Sequence, residues 1–405
     1  MSTTRAPVGV ALALIALFGC GGSEPEQETV RIGLLLSYTG HLSADSINSE
    51  RALLMAIQRA NDAGGIGGRP LEVIARDARS DVRGVSDASG PARELLDSGV
   101  AVLIGPDTID LAVTLRSTLL NSTVVLPSFA ATSLGAKPPS WFVIGASTRR
   151  FACELQAQLQ ADGRRNPLLI MNEKEFPSSI GWVITNIYGI PKYVLDSDAP
   201  PSDVTLQPIL ASSADSFVLA ALPASGASLV YALSAVGKLG DPARWYLAPS
   251  LHTPAFLSSI PRGSLQGARG VAQGTAAAGA PGFRDAFAAR WSDVPLDNAY
   301  AFYDAGAVVA LALQRALTRE GAIPTGTGLT PHILAVTHPA GMPIQWDELP
   351  RGLELLRQGH EVRYDGLVGS VVFDSTGQTP AALTTWWTIG PDGFVDAPSA
   401  SSCAP

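Results

Sequence analysis

The sequence predicts an α/β protein made of two doubly wound parallel-sheet lobes, and three observations predict it. Short apolar runs alternate with amphipathic helical patterns from residue 30 onward, and βαβα order implies a parallel sheet with helices on both faces. The alternation starts afresh after residues 141–144, so a second sheet follows the first. The glycine-rich stretch Gly64-Gly65-Ile66-Gly67-Gly68 stands between a helix and a strand. A nucleotide-binding loop needs strand, then glycines, then helix, because phosphate sits on the free N–H groups of the helix N-terminus. The third glycine of that fingerprint is also missing, so these glycines are backbone geometry.

In chain order, 30–36 reads as the first strand. Residues 49–63 read as a helix, with Leu53, Ile57 and Ala60 along one face and Leu54 widening the stripe. Gly64 suits the left-handed residue that ends it, and 71–75 reads as a buried strand. Helical patterns at 85–97 and around 111–119 alternate with strands at 101–104, 123–126 and 141–144. The second series has a helix at 150–161, strands at 168–171 and 217–221, a helix at 229–238 and a strand at 245–247. Helices follow over 281–316. Residues 321–345, rich in Gly, Pro, Thr and His, read as an irregular insertion, and 346–359 as a helix with Leu349, Leu353 and Leu356 inward. GSVVFD (369–374) and TTWWTIG (384–390) end the series as strands.

Composition limits the function. The chain has 405 residues, 46% hydrophobic and 16% charged, with net charge −8 and no basic run. That length suggests two or three domains, and nothing here would neutralise the phosphates of a nucleic acid. Arg5 precedes an apolar stretch over 8–18, which fits a signal peptide and is too short to span a bilayer. It ends in Leu17-Phe18-Gly19-Cys20, which resembles a bacterial lipoprotein cleavage box. The expectation is a signal peptide over 1–19, lipid on Cys20, and a polar tether over 20–29. The mature protein would then be exported and lipid-anchored to the cell envelope. Cys153 and Cys403 remain, and they either pair in an oxidising compartment or stay free. No Gly-x-Ser-x-Gly, P-loop, His-Glu-x-x-His or Cys-x-x-Cys pattern occurs, and the five histidines are scattered. No enzyme, cofactor or metal site is expected.

In open parallel sheets, ligands lie beyond the carboxyl ends of the strands. That rule selects 37–40, 105–110 and 128–133 in the first lobe, and 172–177, 222–225 and 249–252 in the second. Ser37, Tyr38, Asp107, Thr108 and Leu222 are candidates on this ground alone. Asp107 reads either as an acid for a ligand or as a helix cap.

Several stretches carry a resemblance in order along the chain: VRIGLLLSYTGHLS, RALLMAIQRANDAGGIGGRPLEVIARDARSD, SGVAVLIGP, PSFAATS, YAFYDAGAVV and GSVVFDSTG. Together they resemble the type I periplasmic solute-binding proteins, in particular the leucine/isoleucine/valine and amide binders. The resemblance implies two lobes joined by a three-strand hinge, with a ligand cleft between them. Lobe 1 would take 30–147 plus about 276–370, and lobe 2 would take 148–275 plus about 371–400. It also implies a monomer that delivers a small molecule to an ABC permease. Carried over by position, Ile109 stands where amino-acid binders place a serine for the ligand carboxylate. Ala130, Ala131 and Thr132 match a stretch that gives the ligand a carbonyl and a hydroxyl. Ser250 stands where an acid balances the ligand ammonium, Phe176 where an aromatic often lies, and Tyr300 and Tyr303 match a region near the hinge. A buried ammonium without a carboxylate is costly. The substitutions at 109 and 250 therefore argue for a neutral or anionic ligand. A ligand sensor, or a protein-binding envelope lipoprotein on the same fold, is the alternative reading.

Overall fold

Five parallel strands form the first sheet: β1 (Val30–Leu36), β2 (Leu71–Asp77), β3 (Val102–Ile104), β4 (Val124–Leu126) and β5 (Trp141–Val143), in the order β2-β1-β3-β4-β5. The structure is a computed structural model that describes residues 28–80, 87–127, 137–172, 175–195, 203–276, 279–398 and 403. Val30 pairs with Leu71 on one side of β1, and Ile32 with Val102 on the other. The winding reverses between β1 and β3, and that reversal opens a crevice at their carboxyl ends.

The second sheet repeats this winding. Its strands β6 (Pro167–Met171), β7 (Lys192–Val194), β8 (Ser216–Ala220), β9 (Trp245–Leu247) and β10 (Arg269–Gln273) run parallel in the order β7-β6-β8-β9-β10. The reversal here lies between β6 and β8. A small three-stranded sheet, β11 (Met342–Gln345), β12 (Val362–Gly366) and β13 (Gly369–Ser370), packs beside the first lobe. Finally β14 (Thr384–Ile389) and β15 (Phe394–Pro398) join the second sheet antiparallel, next to β10.

The first sheet is covered by α1 (Ser43–Asp62), α2 (Ser89–Asp97) and α3 (Ile109–Thr114). The second carries α4 (Thr148–Ala161), α5 (Glu175–Tyr188), α6 (Asp203–Leu210), α7 (Pro223–Ala235) and α8 (Pro254–Ser259). The chain then returns to the first lobe through α9 (Ala280–Trp291), α10 (Asp297–Glu320), α11 (Thr330–Val336) and α12 (Leu349–Arg357). Helix α10 is buried almost all round from Ala299 to Ala316, as a helix apolar on every face must be. It packs against α1 so closely that a Cβ on Gly306 would meet Leu53 at 2.8 Å and Ala56 at 2.9 Å. Only glycine permits that approach.

The chain crosses between the lobes at 144–147, again after β10, and again over 371–383. Gln273, the last residue of β10, bonds to the other two crossings. Its Oε1 accepts the Ala146 N–H at 2.7 Å, and its Nε2 donates to the Leu383 carbonyl at 2.8 Å. The Thr379 hydroxyl accepts the Gly145 N–H at 3.0 Å. Of the two alternatives for the cysteines, the structure has the pair: Cys153 of α4 is bonded to Cys403.

Several sequence expectations are corrected. Residues 321–345 are not an irregular insertion, because they contain α11 and β11. Only 369–370 of GSVVFD join a ladder, and 371–374 leave it to become a crossing. The helix expected at 229–238 starts at Pro223, whose fixed φ suits a first turn. The helix expected around 111–119 ends at Thr114.

Candidate ligand cleft

The first wall of the cleft is built where β1 and β3 part. Ser37 follows β1, and its backbone N–H (2.8 Å) and hydroxyl (3.0 Å) both donate to the Asp107 carboxylate. Ser46, in the first turn of α1, donates to it as well, at 2.8 Å. The turn into Asp107 needs Gly105 at φ +95, because a Cβ there would lie 2.2 Å from the Leu35 carbonyl. Burial raises the Asp107 pKa above the ordinary carboxylate value, although these donors favour its charged form. Of the two readings of Asp107, helix capping falls to its neighbour: Thr108 caps α3 by accepting the Leu111 N–H at 3.3 Å. Asp107 ties the ends of β1 and β3 to α1.

Beside it, Tyr38 is half-buried, and burial together with Glu50 holds its hydroxyl un-ionised. Asp45 of α1 is pushed up to about 6, by burial first and then by Asp297 and Asp107, with His41 opposing. Ile109 opens α3, Phe176 lies in α5, and the side chains of both are outside the described residues. Ala130, Ala131, Thr132 and Cys20 lie outside them altogether.

The second wall repeats the device with an amide. Asn172 follows β6, and its Oδ1 accepts the Leu222 N–H at 2.9 Å, so it joins the ends of β6 and β8 across their reversal. Leu222 is buried and precedes Pro223, the first residue of α7. Ser250, beyond β9, turns its hydroxyl into its own lobe and donates to the Ala221 carbonyl at 2.8 Å. Two residues on, His252 lies between Asp297 and Asp396.

Both tyrosines of α10 are buried. Tyr303 has no exposed surface, and its hydroxyl donates to the Trp346 carbonyl at 2.8 Å, which makes it core. Tyr300 is 5% exposed, packs on Phe283, and accepts from Arg284 Nε at 3.2 Å. His332 is also structural. Its Nδ1 faces Arg315 at 2.9 Å and must accept, since a guanidinium only donates, so Nε2 carries the proton toward Glu320 at 2.8 Å. Among the described residues no three His, Cys, Asp or Glu side chains are placed to hold a metal. Sequence reasoning missed Asn172, Ser46, His252 and Asp297. The available signal was position, since Asn172 and His252 both fall in strand-end loops already selected.

Two sheets wound alike, with both reversals at strand carboxyl ends and three crossings between them, match a known profile. Residues 29–386 fit the family described as periplasmic binding protein. The chain belongs to the periplasmic binding protein family. Comparison with the curated proteins gives no sequence match. Among solved structures, one similar to this chain is the branched-chain amino acid transporter substrate-binding protein LivJ of Streptococcus pneumoniae, in complex with isoleucine. It is 15% identical with a TM-score of 0.72, over 91% of this chain and 100% of that one. The leucine-binding protein LivK of Thermotoga maritima is 13% identical with a TM-score of 0.72, over 91% and 98%. A solute-binding protein of R. palustris, in complex with benzoate, is 14% identical with a TM-score of 0.66, over 93% and 99%. At such identities the likeness carries the fold. Family membership makes this a binding protein rather than an enzyme, and implies a location outside the cytoplasm.

Proposed function

We propose that this periplasmic binding protein captures a small polar molecule between its lobes and delivers it to the permease of an ABC importer. It would be tethered to the envelope by lipid on Cys20, with lobes divided at about 147 and 276 and again near 370. The observation that carries this reading is the pair of facing strand-end walls in a member of this family, Ser37 with Asp107 on one lobe and Asn172 with Leu222 on the other. Ligand contacts are assigned to the loops holding Ser37, Tyr38, Thr108, Ile109, Ala130, Ala131, Thr132, Phe176, Leu222 and Ser250.

The ligand class follows from the two substituted anchors. Ile109 offers no side-chain donor to a carboxylate, and Ser250 is uncharged and already bonded to Ala221. A zwitterion would leave its ammonium without a counter-charge at that position, so an amide or an organic acid is favoured over an amino acid. A thermal-shift panel of leucine, isoleucine, short amides, urea, benzoate and aliphatic acids tests this. A ligand at a hundred times its Kd stabilises by about 2.7 kcal/mol, a shift of a few degrees. A hit among amides or acids that Thr132→Val abolishes supports the reading. A hit with leucine alone overturns the ligand class, and silence from a folded sample favours a protein-binding envelope lipoprotein.

A further inference from the structure

We infer that His252 is a clasp between the two lobes: its imidazolium, fixed in the seven-stranded lobe, grips Asp297 of the five-stranded lobe and positions the cleft walls for capture. The purpose rests on the solute-binding reading, whereas the grip itself does not. Within its own lobe the His252 ring stacks on Trp387 at 5.0 Å and meets Phe394 at 4.6 Å. Both belong to the antiparallel pair β14 and β15. Asp297 is the first residue of α10, whose body from Ala299 onward fills the core of the other lobe.

The imidazole Nδ1 lies 3.0 Å from both carboxylate oxygens of Asp297, and Nε2 lies 3.3 Å from Asp396 of β15. Neither carboxylate donates, so both ring nitrogens carry protons, and only the cation has two N–H groups. The ring is 11% exposed, which removes most of the solvent screening that weakens surface pairs. The surrounding charges agree. Asp297 faces the ring from α10 and Asp396 from β15, and Asp45 of α1 lies close enough to Asp297 to be raised by it. Arg284 of α9 opposes from beside Asp396, and it is bonded to Tyr300, one turn along α10 from Asp297. Burial alone would lower the His252 pKa, but Asp297 and Asp396 reverse this and push it up to about 10.

The lobes are tied as well by the hinge, where Gln273 and Thr379 bond the crossings together, and they also meet where α3 approaches α5 and where Arg284 of α9 lies near Asp396. A hinge permits rotation, while a pair reaching across from a strand-end loop opposes it. Small-angle scattering of the unliganded protein reads the difference directly. His252→Ala and Asp297→Asn should each increase the radius of gyration at neutral pH while the circular dichroism stays native. His252→Lys, which keeps a cation, should restore compactness in part. The wild type should expand as pH rises through about 10, and Asp297→Asn should lack that transition. If the variants keep the wild-type radius and pH profile, the clasp is refuted. Asp297→Asn is nearly isosteric and keeps the test open should His252→Ala fail to fold. Because no ligand is present, expansion without any binding partner would keep the clasp and sink the importer reading, and binding without expansion would do the reverse.

Discussion

Asp304 of α10 has no exposed surface, and its carboxylate accepts from the Tyr364 hydroxyl at 2.7 Å and from the N–H groups of Leu367 and Val368 at 2.9 Å each. It holds the turn between β12 and β13 against the buried helix, and a Cβ on Gly366 would collide with it. Asp304→Ala would orphan three buried donors at about 1–3 kcal/mol each. Urea denaturation should therefore show a loss of several kcal/mol, and an unchanged midpoint would refute this role. Burial pushes Asp304 up to about 7 and Asp45 up to about 6. A carboxyl raised on folding contributes stability that is present below its ordinary value and lost as pH rises through its folded value. In Asp162, Asp215 and Asp374 burial is outweighed by hydrogen bonds and the pKa is lowered, so their contribution is lost in acid. Stability should thus rise as pH falls from about 7 to 5, then drop below about 4. Denaturation midpoints across that range check it, and Asp45→Asn should flatten the upper limb.

At the scale of elements, the disulfide reaches from α4 to the chain end across 250 residues. In the chain-entropy treatment, closing so long a loop is worth up to about 5 kcal/mol. Cys153→Ser should lower the unfolding midpoint, and reducing agent should lower the wild type to match. Equal midpoints with and without reductant would show that the bond constrains little. The strand patterns missed in sequence have local causes. In β10, Gly270 lies beneath Trp387, where a Cβ would come within 2.2 Å of the indole, and Gln273 serves the hinge. Two of five positions therefore carry residues that disguise a buried strand. β11 and β12 lie beside Pro and His residues that read as loop.

For the whole molecule, the two parallel sheets share one winding, so each lobe places its reversal, and hence its cleft wall, at the same point. The walls are braced differently, by a carboxylate at Asp107 and by an amide at Asn172. The prediction that belongs to this scale is the coupling of the two walls. A solute that binds only the closed arrangement loses apparent affinity in proportion to the fraction closed, so Asp297→Asn should weaken whichever solute the thermal panel identifies without touching it. Unchanged affinity in a variant of larger radius would show that the cleft binds regardless of lobe geometry.

By itself the sequence determined the alternation of strands and helices, the bounds of β1 and the meaning of the glycines at 64–68. These are encoded locally, in apolar period, in turn residues and in the order of elements. Only the tertiary structure decided that Cys153 pairs with Cys403, that Tyr303 is core, that Ser250 turns inward, and that His252 meets Asp297 across the cleft. The physical reason is that local pattern specifies how a side chain stands on its own element. What faces it from another lobe depends on the winding of both sheets and on the angle at which the crossings join them.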